Sequence, residues 1–113
     1  METSMLQSGD IVVADFAGAT GIKRRPCVVI STSLYHAKRP DVVLAVVTSQ
    51  IASASAPTDY ALQDWEEANL KSPSAIRIYV ATVPQFSVKT IGRLSQRDWA
   101  EVRQRVRLAL DVE

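Results

Sequence analysis

The sequence predicts a mainly β fold, a small curled antiparallel barrel closed by one C-terminal amphipathic helix. The first observation is a series of short apolar segments, rich in β-branched residues and separated by polar or glycine-containing turns, which favours about five to seven strands. The second is a change to helical spacing near the end of the chain. The apolar residues with this spacing are Trp99, Val102, Val106, Ala109 and Leu110.

Composition and charge limit the classes to which the chain can belong. Its 113 residues are enough for one domain, and 47% apolar with 22% charged residues is ordinary for a soluble globular protein. Because the net charge is only +1, any anion-binding site has to come from local clustering of cations. The lone Cys27 excludes an internal disulfide and fits a reducing cytosol, so we expect a cytoplasmic protein.

Membrane, secretion and metal classes receive no support from the sequence. No apolar stretch approaches the roughly 20 residues that span a bilayer, and we expect no membrane association. Residues 1–5 lack the basic and apolar regions of a signal peptide. One histidine and one cysteine cannot make a recognisable zinc pattern, so we expect no metal or other cofactor, while a site of carboxylates alone stays open.

Taken in order, the chain alternates predicted strands with turns and loops. A turn at 9–10 precedes the first strand, and glycines indicate a mobile loop within 17–23. Residues 32–41 predict a polar connection, and the Ser- and Ala-rich segment 49–58 predicts a flexible loop. The strands are predicted at 11–16, 25–31, 42–48, 59–62 and 75–83, with a further short piece at 86–91.

Capping residues predict where the helical segments begin. Asp64 is predicted to cap a single helical turn over 64–68. Ser95, followed three residues later by Asp98, is a helix-start pattern ahead of the terminal amphipathic segment. We interpret that helix as core. We also interpret Trp65 as a packing residue, with stacking on a nucleic-acid base as the alternative.

Three cations, Lys23, Arg24 and Arg25, directly precede Pro26 and a buried strand. Proline fits the first residues of a strand, where it need not donate to the ladder, and it favours an extended Arg25. A guanidinium is therefore predicted at the mouth of a strand, fixed by the core behind it. Such an arginine can bind phosphate through two parallel hydrogen bonds. Pairing with a surface carboxylate is the alternative.

A hairpin register connects Arg25 with Thr48. If the second and third predicted strands form a hairpin centred directly after His36, Arg25 lies opposite Thr48, and opposed residues have Cβ atoms about 4.5–5.5 Å apart. A guanidinium and a hydroxyl then flank one spot at the open end of the hairpin. His36 lies at the turn end, in a solvated loop some 20 Å from Arg25 at about 3.3 Å per residue.

Several short motifs together carry a family resemblance. They are Gly-Asp-Ile-Val at 9–12, Arg-Pro-Cys-Val-Val-Ile-Ser at 25–31 and Val-Val-Thr-Ser-Gln at 46–50, followed by segments at 64–65, 70–74, 91–95 and the terminal helix. In this order they resemble the MazF/PemK family of toxins from prokaryotic toxin–antitoxin modules, and its PemK-like branch in particular. The resemblance covers about residues 9–110 of a single domain expected over 1–113.

The resemblance implies a fold, an activity and partners. The fold is an SH3-like barrel, and the assembly is a homodimer. The activity is sequence-selective, metal-independent endoribonuclease cleavage of single-stranded RNA, which leaves a 2′,3′-cyclic phosphate and a 5′-hydroxyl. A cognate antitoxin protein would silence the toxin with a tail that lies across the RNA groove.

The resemblance also assigns roles to individual residues. Arg25 matches the family's catalytic arginine and Thr48 its catalytic threonine. Arg77 falls where PemK-type members have a basic residue near the site. Together with Arg77, the residues that we expect to bind substrate are Lys23, Arg24, Ser49 and Gln50. The chain departs from the pattern at Tyr79, where some PemK toxins place a catalytic aspartate, and at 17–22, which lacks the histidine or glutamate that some carry. The general base and acid are left unassigned.

Two other functions stay open. Gyrase poisons of the CcdB type resemble this fold and act through terminal-helix residues, but residues 111–113 lack the aromatic ending associated with them. A catalytically lapsed RNA-binding or antitoxin-binding protein is suggested by the missing acidic and first-loop residues. Toxicity that survives Arg25→Ala but is lost when the last residues are removed would favour the first alternative. RNA binding without turnover would favour the second.

Overall fold

Strands account for most of the regular structure. The computed structural model describes residues 5–18 and 21–112. Within these described residues, two α-helices, α1 (Ser33–Lys38) and α2 (Gln96–Ala109), and two 3₁₀ turns (Ile51–Ser53 and Gln85–Ser87) lie between or after the strands. The strands are β1 (Asp10–Gly18), β2 (Gly21–Val29), β3 (Asp41–Thr48), β4 (Tyr60–Ala61), β5 (Ala75–Pro84) and β6 (Lys89–Arg93).

In the part of the chain that the structure describes, six strands form one curled antiparallel sheet in the order β4–β5–β3–β2–β1–β6. Each neighbouring pair in this order is antiparallel. The prediction of a small, mainly β domain with one C-terminal helix is therefore confirmed. Among the residues described, no helix combines the length and the apolar character that crossing a membrane requires.

Both faces of the central strands are buried. One face packs with α2 in what we call the helix-side core, which includes Ile11, Val28, Ala45, Ile76 and Val102. The other face forms the second core, which includes Leu6, Phe16, Cys27, Leu44 and Val46. Successive residues of a strand alternate between the two cores, because their side chains point to opposite faces. Burial on both faces explains the nearly continuous apolar runs of β2 and β3.

The predicted register between β2 and β3 is confirmed. Cys27 pairs with Val46, and the two following pairs keep the same register. Cys27 and Val46 both belong to the second core. Because side chains repeat every two residues along a strand, Arg25 and Thr48 extend the same face beyond this last pair, toward the open end of the hairpin.

The connection between β2 and β3 is a short helix rather than a polar loop. Helix α1 begins after Thr32, whose hydroxyl accepts a hydrogen bond from the Tyr35 amide at 3.2 Å. The prediction that His36 lies in a solvated loop is wrong, because its side chain is buried at 6% exposure. Its Nδ1 lies 2.8 Å from the Leu6 carbonyl oxygen, and its Nε2 lies 2.6 Å from the Ser31 hydroxyl.

The segment between β1 and β2 is more regular than predicted. β1 continues to Gly18 and β2 begins at Gly21, so most of the loop expected over 17–23 is paired as a hairpin. Residues 21–25 are exposed, because this end of the hairpin extends beyond the cores. They therefore lack the apolar pattern by which a strand is predicted from the sequence. Residues 19 and 20, which the loop prediction included, lie outside the described residues.

Three later predictions need only changes at their boundaries. The long strand predicted at 75–83 is β5, which ends one residue later. The piece predicted at 86–91 is the 3₁₀ turn Gln85–Ser87 followed by β6. The terminal helix is capped by Ser95, whose hydroxyl accepts from the Asp98 amide at 3.2 Å. Val102 is buried in the helix-side core, whereas Ala109 and Leu110 are exposed instead of packed.

The prediction that the Asp64 side chain caps a helical turn over 64–68 is wrong, because its carboxylate binds residues at the start of α2 instead. The Asp64 carboxylate accepts hydrogen bonds from the Ser95 hydroxyl at 2.6 Å and from two nitrogens of Arg97 at 2.8 Å. Hydrogen bonds from Arg97 and then Ser95 lower the pKa of Asp64 to about 2. Asp64 therefore ties the segment after β4 to the start of α2. Trp65, next in the chain, packs against the helix-side core, as interpreted.

The same junction contains a fully buried carboxylate, Asp98. It accepts hydrogen bonds from the Tyr60 hydroxyl at 2.6 Å and from the backbone amides of Gln63 and Asp64 at 3.1 and 2.8 Å. Burial, and then the hydrogen bond and charge of Asp98, raise the pKa of Tyr60 to about 12. The three donors satisfy the buried charge and hold α2 against β4.

Candidate active site

The predicted site residues lie around one open cleft of about 920 Å³, where the exposed ends of β2, β3 and β5 approach each other. The cleft is lined by all of the residues assigned from the sequence, Lys23, Arg24, Arg25, Thr48, Ser49, Gln50 and Arg77. Residues from β1, from the turn after β3, from the segment before β5 and from β6 also line the cleft. The sequence predicted that Arg25 and Thr48 flank one accessible spot, and both residues line the cleft.

Arg25 lies at the boundary between the second core and the cleft. Its backbone is held in β2 opposite Ala14, directly before Pro26, and its own side chain is exposed. Two residues later, Cys27 is fully buried. Burial raises the pKa of the Cys27 thiol to about 12 against the opposing effect of the Arg25 charge. The thiol is therefore an inert support beneath the guanidinium.

Thr48 is held by a turn at the end of β3. Its Oγ1 accepts a hydrogen bond from the Gln50 amide at 3.1 Å. This contact restricts the side-chain rotamer and leaves the hydroxyl hydrogen to donate toward the cleft. The next residues, Ser49 and Gln50, are exposed at the rim. The Gln50 carbonyl accepts from the Ser53 hydroxyl at 2.8 Å, so the beginning of the predicted flexible loop is an ordered turn.

The cleft concentrates positive charge. Its lining includes five basic side chains, and no Asp, Glu or His side chain of the described residues contributes to it. These basic residues are Lys23, Arg24, Arg25, Lys71 and Arg77. Because the whole chain has a formal charge of only +1, this is the local clustering that the composition required of any anion site.

The five cations differ in their pairing. Arg24 lies 3.1 Å from the Asp15 carboxylate across the β1–β2 hairpin, and both side chains are more than half exposed. An exposed pair of this kind is weak and contributes about 0–1 kcal/mol. Within residues 5–18 and 21–112, Arg25 and Arg77 form no salt bridge. Arg25 and Arg77 are therefore the arginines of the cleft that are free for an external anion.

Comparison with known proteins identifies the family. The family model for the PemK-like, MazF-like toxin of type II toxin–antitoxin systems matches residues 7–110. The chain belongs to this family. No curated protein matches the chain at a significant level.

Solved structures of similar fold support the same architecture. The MazE–MazF structure from Deinococcus radiodurans is 20% identical, with a TM-score of 0.76, covering 97% of this chain and 100% of that one. The Mycobacterium tuberculosis toxin MazF-mt6 is 18% identical, with a TM-score of 0.75 and coverages of 92% and 98%. A mycobacterial endoribonuclease in complex with its cognate antitoxin is 15% identical, with a TM-score of 0.79 and coverages of 96% and 97%. At these identities the likeness establishes the fold.

Several lining residues of this PemK-like toxin domain were missed in the sequence. Lys71 was not assigned to the site, and Phe16 was predicted only as part of a strand. Ser74, which also lines the cleft, stabilises a turn, because its hydroxyl donates to the Ser72 carbonyl at 2.8 Å. The available signal for Lys71 was its place within the segment 70–74 that contributes to the family resemblance. Its approach to the cleft depends on packing that no local pattern reports.

That packing involves Gly92 of β6. A Cβ atom at Gly92 would collide with the carbonyl oxygen of Ala68, so only glycine lets the two segments approach this closely. The neighbouring Asn69 adopts a positive φ of 64° and donates from Nδ2 to the Ile91 carbonyl at 2.9 Å. Together these contacts hold the segment that carries Lys71 against β6, at the edge of the cleft.

Metal ligation has no candidate in the part of the chain that the structure describes. No group of three or more His, Cys, Asp or Glu side chains lies together there. The cleft offers guanidinium, ammonium, hydroxyl and amide groups, all of which can donate hydrogen bonds to an anion. The arrangement is suited to binding a phosphodiester.

Proposed function

We propose that the protein is the toxin of a toxin–antitoxin module and acts as a metal-independent endoribonuclease on single-stranded RNA. The observation that carries the proposal is the placement of Arg25 and Thr48 in one open cleft with four further cations. Family membership and the endoribonuclease neighbours support an RNA substrate. We further propose that residues 1–113 form a single toxin domain, with a core at about 9–110.

The proposed reaction is attack by the ribose 2′-oxygen on the adjacent phosphorus. The 2′-hydroxyl loses its proton, the bond from phosphorus to the 5′-oxygen breaks, and that oxygen takes up a proton. The products are a 2′,3′-cyclic phosphate and a 5′-hydroxyl. Arg25 is proposed to stabilise the charge on the five-coordinate phosphorus, where a positioned cationic donor contributes most.

The remaining assigned residues are proposed to hold the RNA. Thr48 and Ser49 would donate hydroxyl hydrogens to a phosphate oxygen and keep the 2′-oxygen in line, a positioning effect that is itself large. The residues proposed to bind the flanking backbone are Lys23, Arg24, Gln50 and Arg77. Arg24 would contribute least, because it already contacts Asp15.

The proposed partners are a second copy of the chain and a cognate antitoxin. The Deinococcus radiodurans neighbour is a MazE–MazF structure, and a mycobacterial neighbour is an endoribonuclease with its cognate antitoxin. The cationic cleft would attract an acidic antitoxin segment for the same reason that it attracts RNA. A clean monomer mass at micromolar concentration would contradict the dimer.

The test is cleavage of a long single-stranded RNA by purified protein in EDTA. We expect cutting by the wild type and a rate about 100- to 1,000-fold lower for Arg25→Ala, the range found when one positioned donor is removed. Arg107→Ala is the matched control, since Arg107 is exposed on α2 and outside the cleft lining, and it should cut like the wild type. Uncut RNA with the wild type, or equal cutting by Arg25→Ala, would contradict the proposal.

The product ends test the chemistry separately from the activity. A 5′-hydroxyl accepts label from a polynucleotide kinase without prior phosphatase treatment, whereas a 5′-phosphate does not. RNA with fluorine in place of the 2′-hydroxyl should remain uncut, because it lacks the nucleophile. Cutting of this RNA would rule out attack by the 2′-oxygen.

A second candidate function is RNA or antitoxin binding without catalysis. It is favoured by one observation, the absence of any Asp, Glu or His of the described residues from the cleft lining. His36 is not available as a base in the same chain, because both of its ring nitrogens are engaged at the α1 end of the hairpin. Tight RNA binding by a wild type that leaves the RNA intact would establish this alternative.

A further inference from the structure

An exposed aromatic ring lies in the cationic cleft. Tyr79 of β5 lines the cleft and is 62% exposed. The proposed chemistry of Arg25 and Thr48 makes no use of it. A single exposed hydrophobic residue is ordinary on a protein surface. Tyr79 differs in its place, because its ring lies among cations and hydroxyls that can bind a phosphate, so a ligand held by them could also contact the ring.

An irregularity in the sheet places Tyr79 there. Along the β3–β5 pair, Ala45 is opposite Val80, but the next residue, Val46, is opposite Arg77. Ile78 and Tyr79 are therefore extra residues on β5, as in a β-bulge. Ile78 packs against the helix-side core, whereas Tyr79 lines the cleft. Bulges are found next to active sites, where they redirect a side chain.

A second aromatic residue, Phe16, packs against the Tyr79 ring from the side of the second core. The Phe16 and Tyr79 ring centroids are 6.4 Å apart with an interplanar angle of 47°, within the range of favourable aromatic pairs. Phe16 is only 9% exposed and belongs to the second core. It also faces Lys23 across the β1–β2 hairpin. The Tyr79 ring is thus held on the core from one side and open to the cleft on the other.

We propose that Tyr79, positioned by the bulge and supported by Phe16, is a stacking platform for one unpaired base of the RNA beside the phosphate held by Arg25. The inference rests on the proposed function and adds a determinant of base positioning to it. An aromatic face among backbone-binding cations is the combination that single-stranded nucleic acid binding uses. Arg77 lies two residues before Tyr79 in β5 and can bind a phosphate of the same RNA molecule.

The test measures RNA affinity without cleavage, by using a single-stranded 2′-fluoro RNA that lacks the attacking hydroxyl. We expect Tyr79→Leu to bind about 5- to 100-fold more weakly, the range for loss of one stacked base. Tyr79→Phe keeps the ring and should bind within about twofold of the wild type. Phe86→Leu is the matched control, because Phe86 is 89% exposed but outside the cleft lining, and it should bind like the wild type.

The salt dependence separates stacking from a general disturbance of the cleft. Tyr79→Leu should leave the slope of log affinity against log salt unchanged, since it removes no phosphate contact. Arg77→Ala should reduce the slope by about 0.7, the value for one contact with a single strand. A changed slope in Tyr79→Leu would mean that the cations moved, and it would overturn the platform role.

A variant with a fluorescent side chain at position 79 tests the stacking directly, without relying on a loss of affinity. In Tyr79→Trp the introduced indole should be quenched when the 2′-fluoro RNA binds, beyond any change seen in the wild type. Absence of that added quenching at saturating RNA would overturn the inference. So would wild-type affinity in Tyr79→Leu.

The two proposals fail in different ways. If the wild type binds and cuts RNA but Tyr79→Leu binds with unchanged affinity, only the platform is wrong. If the wild type neither binds nor cuts RNA, the proposed function is wrong and the platform falls with it. If Tyr79→Phe binds as weakly as Tyr79→Leu, the hydroxyl rather than the ring makes the contact, and the platform is wrong.

Discussion

The two ends of the β2–β3 hairpin differ in how their polar side chains are satisfied. At the α1 end, both ring nitrogens of His36 contact oxygens of Leu6 and Ser31. Ser31 in turn accepts from the Val43 amide at 2.9 Å. At the cleft end, Arg25 is exposed and forms no salt bridge with any described residue. At the α1 end the polar side chains bind partners within the chain, whereas at the cleft end the guanidinium is available to bind an external anion.

The comparison shows that a residue's partners, more than its type, indicate its role. A histidine is the usual candidate for acid–base work, yet His36 fastens the segment at Leu6 to α1 and β3. In the described part of the chain, every buried side-chain nitrogen or oxygen has a hydrogen-bond partner. Unpaired polar groups are therefore found on the surface, and the cleft is where unpaired cations converge.

The largest expected effect is at the open end. Arg25→Lys keeps the charge but loses the planar fork that binds two phosphate oxygens at once, so the cleavage rate should fall about 100-fold. The unfolding free energy should change by no more than about 0.5 kcal/mol, because the side chain is exposed. Initial rates on a defined RNA and urea denaturation measure the two quantities.

Arg24→Lys is the control on the same strand. Its guanidinium already contacts Asp15, so the loss of rate should be less than about fivefold. If Arg25→Lys cut like the wild type, or if Arg24→Lys were the more damaged variant, the contrast between the two arginines would be wrong.

At the closed end the effect should be on stability. His36→Ala leaves the Leu6 carbonyl and the Ser31 hydroxyl without their partner and creates a cavity, which should lower the unfolding free energy by about 2 kcal/mol. Cleavage by the folded fraction should be unchanged. Lys38→Ala, exposed on the same helix, should be near neutral in both measurements. A stable His36→Ala that no longer cuts would instead make His36 catalytic.

Thr48 tests whether the hydroxyl at the open end acts through its hydrogen. Thr48→Val keeps the shape of the side chain but removes its hydroxyl. The cleft loses a hydrogen-bond donor and the Gln50 amide loses its acceptor, so cleavage should fall about 10-fold. Thr48→Ser should recover most of the rate, because the hydroxyl is restored. Equal rates for the Ser and Val variants would argue against a role for the hydroxyl.

The smallest effect concerns Asp64, a second internally satisfied site. Its pKa is lowered to about 2 by Arg97 and Ser95. A carboxylate with a depressed folded-state pKa stabilises the protein above its unfolded pKa of about 4 and loses that contribution as the pH falls through the folded value. Urea midpoints should therefore decrease between pH 4 and pH 2 more for the wild type than for Asp64→Asn. Parallel pH profiles would contradict this.

Much of the fold and part of the site could be predicted from local patterns. The strands were visible as β-branched apolar runs, and Ser95 marked the start of α2. The hairpin register followed from equal counting on either side of the turn, although that turn is helical. It placed Arg25 and Thr48 on one face, and both line the cleft. Their catalytic roles remain predictions.

What the patterns missed depends on contacts between distant parts of the chain. The burial of His36 requires Leu6, thirty positions away. Asp64 seemed to be a helix cap because its true partners, Ser95 and Arg97, are about thirty positions later. The first hairpin seemed to be a loop because its exposed residues have no apolar alternation.

The sequence by itself determined the buried parts of the strands, the β2–β3 register and the common face of Arg25 and Thr48, since strand periodicity and hairpin counting are local properties. Only the tertiary structure decided which other segments reach that face. The bulge at Tyr79, the support of its ring by Phe16 and the approach of the Lys71 segment to Gly92 depend on how the sheet curls and what packs against it. Such contacts are set by shape and volume across the fold, and no spacing along the chain encodes them.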